Sequence, residues 1–223
     1  MNGGLVQGAA GHGRSSGRAG GLFIHQAAAI DALLLARRHV VVATPTASGK
    51  SLCYNVPVLE ALAADRDACA LYLFPTKALA QDQLAALRGM LAAAFGPDAA
   101  AIVELLVTNP DMLHCSILPF HTQFARLLGN LKYVIVDEAH AYHGAFGCHT
   151  ALVLRRLRRL CARAHGSEPL FVLTSATVAN PGRHASLLLG EGEAAVQVVG
   201  EDGSPSGAKA LVLWNPPLTA DAK

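Results

Sequence analysis

The chain has 223 residues, 52% of them hydrophobic and 15% charged, enough for one sizeable core. That balance excludes a disordered or fibrous chain and suits a sheet covered on both faces. A net charge of +2 means that any cationic surface must be local, and no apolar run reaches the length of a membrane span.

Residues 1–21 are expected to form a flexible tail. They are rich in Gly, Ala, Ser and Arg, and residues 1–20 carry no acid, a composition that organellar targeting segments share. Order is expected from Leu22. Helical spacing covers Ile24 to Leu34, with Arg37-Arg38 at its favourable C-terminal end. His39–Ala43 reads as a short apolar strand, Ser51–Ala64 as a helix, Ala68–Phe74 as a second strand and Lys77–Phe95 as an alanine- and leucine-rich helix. Further strands are predicted at Ile102–Val107, Lys132–Val136 and Leu170–Thr174. The alternation predicts an α/β fold, a mostly parallel sheet with helices on both faces. After Gly190 the character changes. Ala195–Val199 and Ala210–Trp214 read as two short strands joined by a turn, and Asn215-Pro216-Pro217 ends them. This assigns 22–190 to one nucleotide-binding domain and 191–223 to terminal strands and the start of a linker.

Such a sheet puts the polar segments at the carboxyl ends of its strands, the edge where open α/β sheets bind ligands. The first is Thr44-Pro45-Thr46-Ala47-Ser48-Gly49-Lys50-Ser51. Consecutive backbone N–H groups of such a loop wrap phosphate oxygens, and the helix starting at Ser51 adds its positive end. Gly49 permits close backbone approach, Lys50 is a point charge for the β- and γ-phosphates, and the Ser51 hydroxyl is a magnesium ligand. Thr44 stands where the general phosphate-loop pattern has glycine, so the loop taken alone also fits a chance turn. The second segment is Val134-Ile135-Val136-Asp137-Glu138-Ala139-His140. An aspartate at the tip of a buried strand can hold Mg²⁺, and the next carboxylate can take a proton from attacking water. The bland alternative is a helix N-cap, where acids are also welcome. The lysine loop upstream favours the catalytic one, with Lys50, Asp137, Glu138 and His140 as its residues.

The two segments resemble the Walker A and Walker B elements of superfamily 2 helicases, the second in its DEAH form. Others follow in that superfamily's order. His25-Gln26 resembles the glutamine motif that reads adenine. Pro75-Thr76-Lys77-Ala78-Leu79-Ala80-Gln81-Asp82-Gln83 resembles motif Ia, Thr108-Asn109-Pro110-Asp111-Met112-Leu113-His114 motif Ib, and Ser175-Ala176-Thr177 the coupling motif III. A narrower likeness, over Ala43–Tyr54, Thr108–His114, Val136–Arg159 and Ser175–Pro181, is to DEAH-type DNA repair helicases, relatives of the bacterial mitomycin repair factor and of fungal RecQ4-like helicases. The resemblance implies a RecA-like fold, ATP and Mg²⁺ as cofactors, and ATP-driven 3′-to-5′ movement on single-stranded DNA. It also implies nucleic-acid contacts from Pro75, Thr76, Lys77, Thr108, Asn109, Pro110 and Asp111, and an intracellular, nuclear or organellar setting. The family's second motor domain, with its arginine finger, is not in this sequence, and the stretch between Phe95 and Val103 is short by the family's standard.

Other features are less specific. Arg155, Arg156, Arg158 and Arg159 interleave with leucines at helical spacing and read as a solvated face before a DNA contact. Lys77 suits a phosphate or plain solvent equally, and Thr108 and Asn109 suit a DNA backbone or the cap of a helix starting at Pro110. Trp214 reads as a packing anchor rather than a base-stacking platform. Five cysteines (Cys53, Cys69, Cys115, Cys148 and Cys161) form no Cys-x-x-Cys pair and read as reduced, mostly buried thiols. Ten dispersed histidines include the neighbours His140 and His143 but no evident metal set. Three readings therefore compete. A DNA helicase motor half leads, with an RNA helicase as its variant. A stand-alone NTPase or kinase would not be expected to combine Asp-Glu-Ala-His with Ser-Ala-Thr. A non-catalytic nucleic-acid or partner-binding remnant is disfavoured by intact Lys50, Ser51, Asp137 and Glu138.

Overall fold

Six apolar runs become six parallel strands of one sheet: β1 (His39–Ala43), β2 (Cys69–Leu73), β3 (Leu105–Thr108), β4 (Leu131–Val136), β5 (Leu170–Ser175) and β6 (Val196–Val199), in the spatial order β3-β2-β4-β5-β1-β6. The structure, a computed structural model, describes residues 21–96 and 105–205. The N-terminal tail to residue 20, residues 97–104 with the start of the strand predicted at Ile102, and the predicted Ala210–Trp214 strand with Trp214 lie outside the described residues.

Among the described residues seven α-helical segments accompany the strands: α1 (Ile24–Leu34), α2 (Ser51–Ala64), α3 (Lys77–Phe95), the short α4 (Pro110–Met112) and α5 (Ala125–Gly129), α6 (Gly144–Leu160) and α7 (Pro181–Leu189). Side chains alternate across each strand and so divide the core in two. Val40, Val42, Ala70, Tyr72, Tyr133, Ile135 and Val172 pack on one face against Leu33 of α1, Tyr54 and Val58 of α2 and Leu87 and Leu91 of α3. Val41, Leu71, Leu73, Val134, Val136, Phe171 and Leu173 pack on the other, against Leu128 of α5, Leu154 and Leu157 of α6 and Leu188 of α7. Burial on both faces explains why the strands read as continuous apolar runs rather than as alternating ones.

The first of the two predicted terminal strands forms as β6 and joins the main sheet. β6 pairs in parallel with β1, His39 facing Val196 and Val42 facing Val199, so residues 196–199 extend the main sheet. The cause is register: β6 offers Val196 and Val199 to the core that β1 already forms. Cys53, Cys69 and Cys161 are buried, while Cys115 and Cys148 are exposed. Among the described residues no helix is long and apolar enough to cross a membrane.

Candidate nucleotide site

The strand order β4-β5-β1 brings three polar segments to neighbouring places on one edge. Asp137 follows β4, Ser175 ends β5 and Thr44 follows β1. Register makes the closeness specific, since Ala43 lies opposite Ser175 and Val136 opposite Leu173.

The lysine loop is pinned at its base and open at its crown. Thr44 and Ser48 are buried and share a hydrogen bond of 2.7 Å between hydroxyls, whereas Pro45, Thr46 and Ala47 are exposed. Thr44, the departure from the glycine pattern, thus serves as half of that pin. Ala47 and Gly49 have φ of +64° and +79°, a left-handed backbone that turns successive N–H groups inward. The Lys50 ammonium donates to the carbonyls of Thr44 and Pro45 at 2.9 and 2.8 Å, which holds it over the loop. Ser51 opens α2 directly after it.

Helix α1 braces the loop from outside. His25 and Gln26 are 0% and 2% exposed. His25 Nε2 donates to the Ser48 carbonyl at 3.0 Å, and its Nδ1 accepts from the Gly203 N–H at 3.4 Å. Gln26 Nε2 donates to the Gly49 carbonyl at 3.0 Å, while its Oε1 accepts from the Phe23 N–H at 3.0 Å. Gln26 thus grips the backbone of the loop itself.

Asp137 is 9% exposed. Burial pushes its carboxyl up from the ordinary range, opposed by a hydrogen bond from the Thr174 hydroxyl and by the Lys50 charge. Glu138 has φ of +50°, an uncommon conformation for a residue with a side chain, and such outliers cluster at working sites. His140 Nδ1 lies 3.2 Å from the Ala176 N–H and 3.2 Å from Glu138 Oε2. One nitrogen cannot serve both at once. With no proton on Nδ1 the ring accepts from the Ala176 N–H, and with a proton on Nδ1 it donates to Glu138. Either way His140 lies between the DEAH segment and Ser175-Ala176-Thr177. The buried Ser175 hydroxyl finds no partner among the described residues, and Thr177 is exposed.

The proposed nucleic-acid residues gather elsewhere on the same edge. Leu73 pairs with Thr108, and the Phe74 N–H donates to the Thr108 carbonyl at 3.1 Å. Thr76, Lys77, Thr108 and Asn109 then line a surface groove of about 330 Å³. Pro75 is half-buried, Pro110 buried and Asp111 exposed at its margin. Thr76 and Asn109 cap helices, accepting from Leu79 N–H at 3.4 Å and Met112 N–H at 2.8 Å. Capping leaves the exposed Lys77 ammonium as the groove's cation.

Two supports were not legible in the sequence. Thr174, read only as the end of a strand, donates to Asp137; a hydroxyl closing the run Leu170-Phe171-Val172-Leu173 was the available signal. His184 of α7 donates to the Ala139 carbonyl at 2.8 Å across 45 residues, with no local pattern to reveal it.

Three oxygen-rich strand ends, a loop braced by His25 and Gln26, and a lysine form an arrangement suited to a phosphate chain and a hard cation. Known proteins agree. The DEAD/DEAH box helicase family matches residues 24–184. The chain is 48% identical over 195 residues to the uncharacterized ATP-dependent helicase YprA of Bacillus subtilis, covering 80% of this chain and 26% of that protein. It is 41% identical over 215 residues to the ATP-dependent helicase HRQ1 of Saccharomyces cerevisiae, covering 88% of this chain and 20% of that protein. The DUF1998 helicase MrfA bound to DNA and AMPPNP matches with a TM-score of 0.76 at 44% identity, over 83% of this chain and 28% of that one. This chain therefore spans about a quarter of the length of such relatives. With a six-stranded parallel sheet of RecA-like form and a match across most of its length, the chain belongs to the DEAD/DEAH box helicase family.

Proposed function

We propose that this chain is the ATP-binding half of a superfamily 2 DNA helicase, one that couples hydrolysis of Mg·ATP to 3′-to-5′ unwinding in DNA repair. The observation that carries the reading is the adjacency of Lys50, Asp137 and Ser175 through the strand order β4-β5-β1. The donor set fits the cofactor. The Ser51 hydroxyl and Asp137 carboxylate are hard oxygen ligands, and Ser175 offers a buried hydroxyl without a partner among the described residues. When bound, Mg²⁺ neutralises developing charge on the phosphates.

The chain's own groups supply the rest. Backbone N–H groups from Thr46 to Lys50 bind phosphate, and Lys50 exchanges its loop carbonyls for phosphate oxygens. The Thr174 hydrogen bond and the Lys50 charge favour the carboxylate form of Asp137 and oppose the upward push of its burial. Glu138 accepts the proton of the attacking water. His140 passes the state of that site to Ala176 by its ring nitrogen. The Lys77 groove holds the phosphate backbone of a single strand without reading bases. The DNA preference is supported by identity of about four residues in ten to a helicase solved with DNA.

The test has two arms. The chain should bind a fluorescent ATP analogue weakly in Mg²⁺ and lose that binding in Lys50→Ala. Joined to a second RecA-like domain, it should show ATPase activity stimulated more by single-stranded DNA than by RNA. The domain supplying an arginine finger is worth ~10³ or more in rate. Fast turnover by the chain alone would refute the need for it.

A further inference from the structure

A cavity of about 770 Å³ opens at the amino ends of β1, β5 and β6, on the sheet edge opposite the nucleotide loop. Arg37, Arg38, Arg155, Arg158, Arg159 and Arg163 line it, against two acids, Glu168 and Glu191. The whole chain carries a net charge of only +2, so this concentration is local. It is also selective in kind, because no lysine lines the cavity.

The six arginines divide into two sets. Arg38 donates to Gln197 Oε1 at 2.9 Å and to the Ala194 carbonyl. Arg155 donates to the Leu187 carbonyl at 2.9 Å, and Arg158 to the Leu189 carbonyl at 2.9 Å and to Glu191. These three tie α6 to α7 and β1 to β6. The side chains of Arg37, Arg159 and Arg163 are exposed and make no hydrogen bond or ion pair among the described residues. Structural duty does not account for them.

Their placement is regular. Arg155, Arg159 and Arg163 recur every four residues along α6 and the wider turn that continues it through Cys161–His165, a ridge whose neighbours lie about 6 Å apart at Cβ. Arg37 faces the same cavity from beyond the end of α1 with φ of +53°, one of three non-glycine residues with positive φ among the described residues; the others, Ala47 and Glu138, belong to the nucleotide site. Planar guanidinium groups bind phosphate in two-pronged fashion, and evenly spaced ones match a chain that presents one anion per unit.

We propose that this arginine groove is a second nucleic-acid contact, which binds the phosphate backbone of a single strand on the face of the domain away from the Lys77 groove. It rests on the arginine geometry and not on the nucleotide site. The phosphate chain is favoured over an acidic protein segment because arginine, without lysine, supplies the groove's positive charge, and three of the arginines stand in an evenly spaced row.

The test uses the 223-residue chain and a fluorescein-labelled 12-nucleotide single strand of mixed sequence, with anisotropy read from roughly 50 to 200 mM salt. Arg159→Gln/Arg163→Gln removes two exposed, unbonded guanidinium groups, and an unchanged circular-dichroism melt checks the fold. Loss of two phosphate contacts should make the slope of log affinity against log salt shallower by about 1.4 and weaken binding at low salt. Lys77→Ala is measured in parallel. Weakening only in Lys77→Ala would overturn the second contact and leave the helicase reading intact. Weakening only in the arginine pair would support it and count against the Lys77 track. A 12-residue poly-glutamate that displaces the strand as well as an unlabelled 12-mer does would overturn the choice of phosphate.

Discussion

Gly49→Ala tests the way α1 holds the nucleotide loop. Gly49 has φ of +79°, and a Cβ built on it would lie 2.7 Å from Gln26 Nε2. Two costs follow. An alanine in left-handed conformation is strained by roughly 1–2 kcal/mol. Gln26 is 2% exposed, so pushing its amide from the Gly49 carbonyl leaves a buried donor unpaired, at about 1–3 kcal/mol. The stiffer unfolded chain returns roughly 0.4–1 kcal/mol. The net loss is then about 3 kcal/mol, or roughly 6–12 °C in Tm for a domain of this size. Urea denaturation followed by circular dichroism measures it, with Gln26→Ala and the double variant completing a cycle. Once Gln26 is truncated the collision is gone, and Gly49→Ala should cost only its backbone strain. A coupling of about 1–3 kcal/mol is expected. Additivity within about 0.5 kcal/mol would refute the brace.

Three further outcomes are expected. Joined to a second motor domain, Glu138→Gln should bind nucleotide normally and stop hydrolysing it, whereas Asp137→Ala should also weaken Mg²⁺ dependence; normal turnover by Glu138→Gln would place the base elsewhere. Lys77→Ala should weaken binding of a labelled single strand and make its salt slope shallower by about 0.7, one phosphate contact; an unchanged slope would remove Lys77 from the track. In mass-spectrometric thiol labelling of the native chain near pH 8, Cys115 and Cys148 should react first, while Cys53, Cys69 and Cys161 wait for unfolding. Burial pushes the Cys53 thiol up to about 12, leaving almost no thiolate there, so fast labelling of Cys53 would contradict its packing beside Tyr54.

What could be read along the chain was whatever local periodicity and short spacing encode. Val40–Ala43 announces a buried strand, Ser48-Gly49-Lys50-Ser51 a turn into a helix, and Val134–Glu138 a strand that ends on acids, because each depends on neighbours a few residues away. Such signals suffice for the α/β class and for the residues of the lysine loop and the DEAH segment. Only the tertiary structure decided that β5 lies between β4 and β1, which places the Thr174 hydroxyl on Asp137 and Ala176 on His140. It likewise turned Gln26 onto the Gly49 carbonyl, His184 onto Ala139, and Arg37 towards the ridge of α6 more than a hundred residues on. The physical reason is that strand order and helix placement are set by which apolar faces can be buried together across the whole sheet. That choice leaves no periodic mark near any one of the residues it joins.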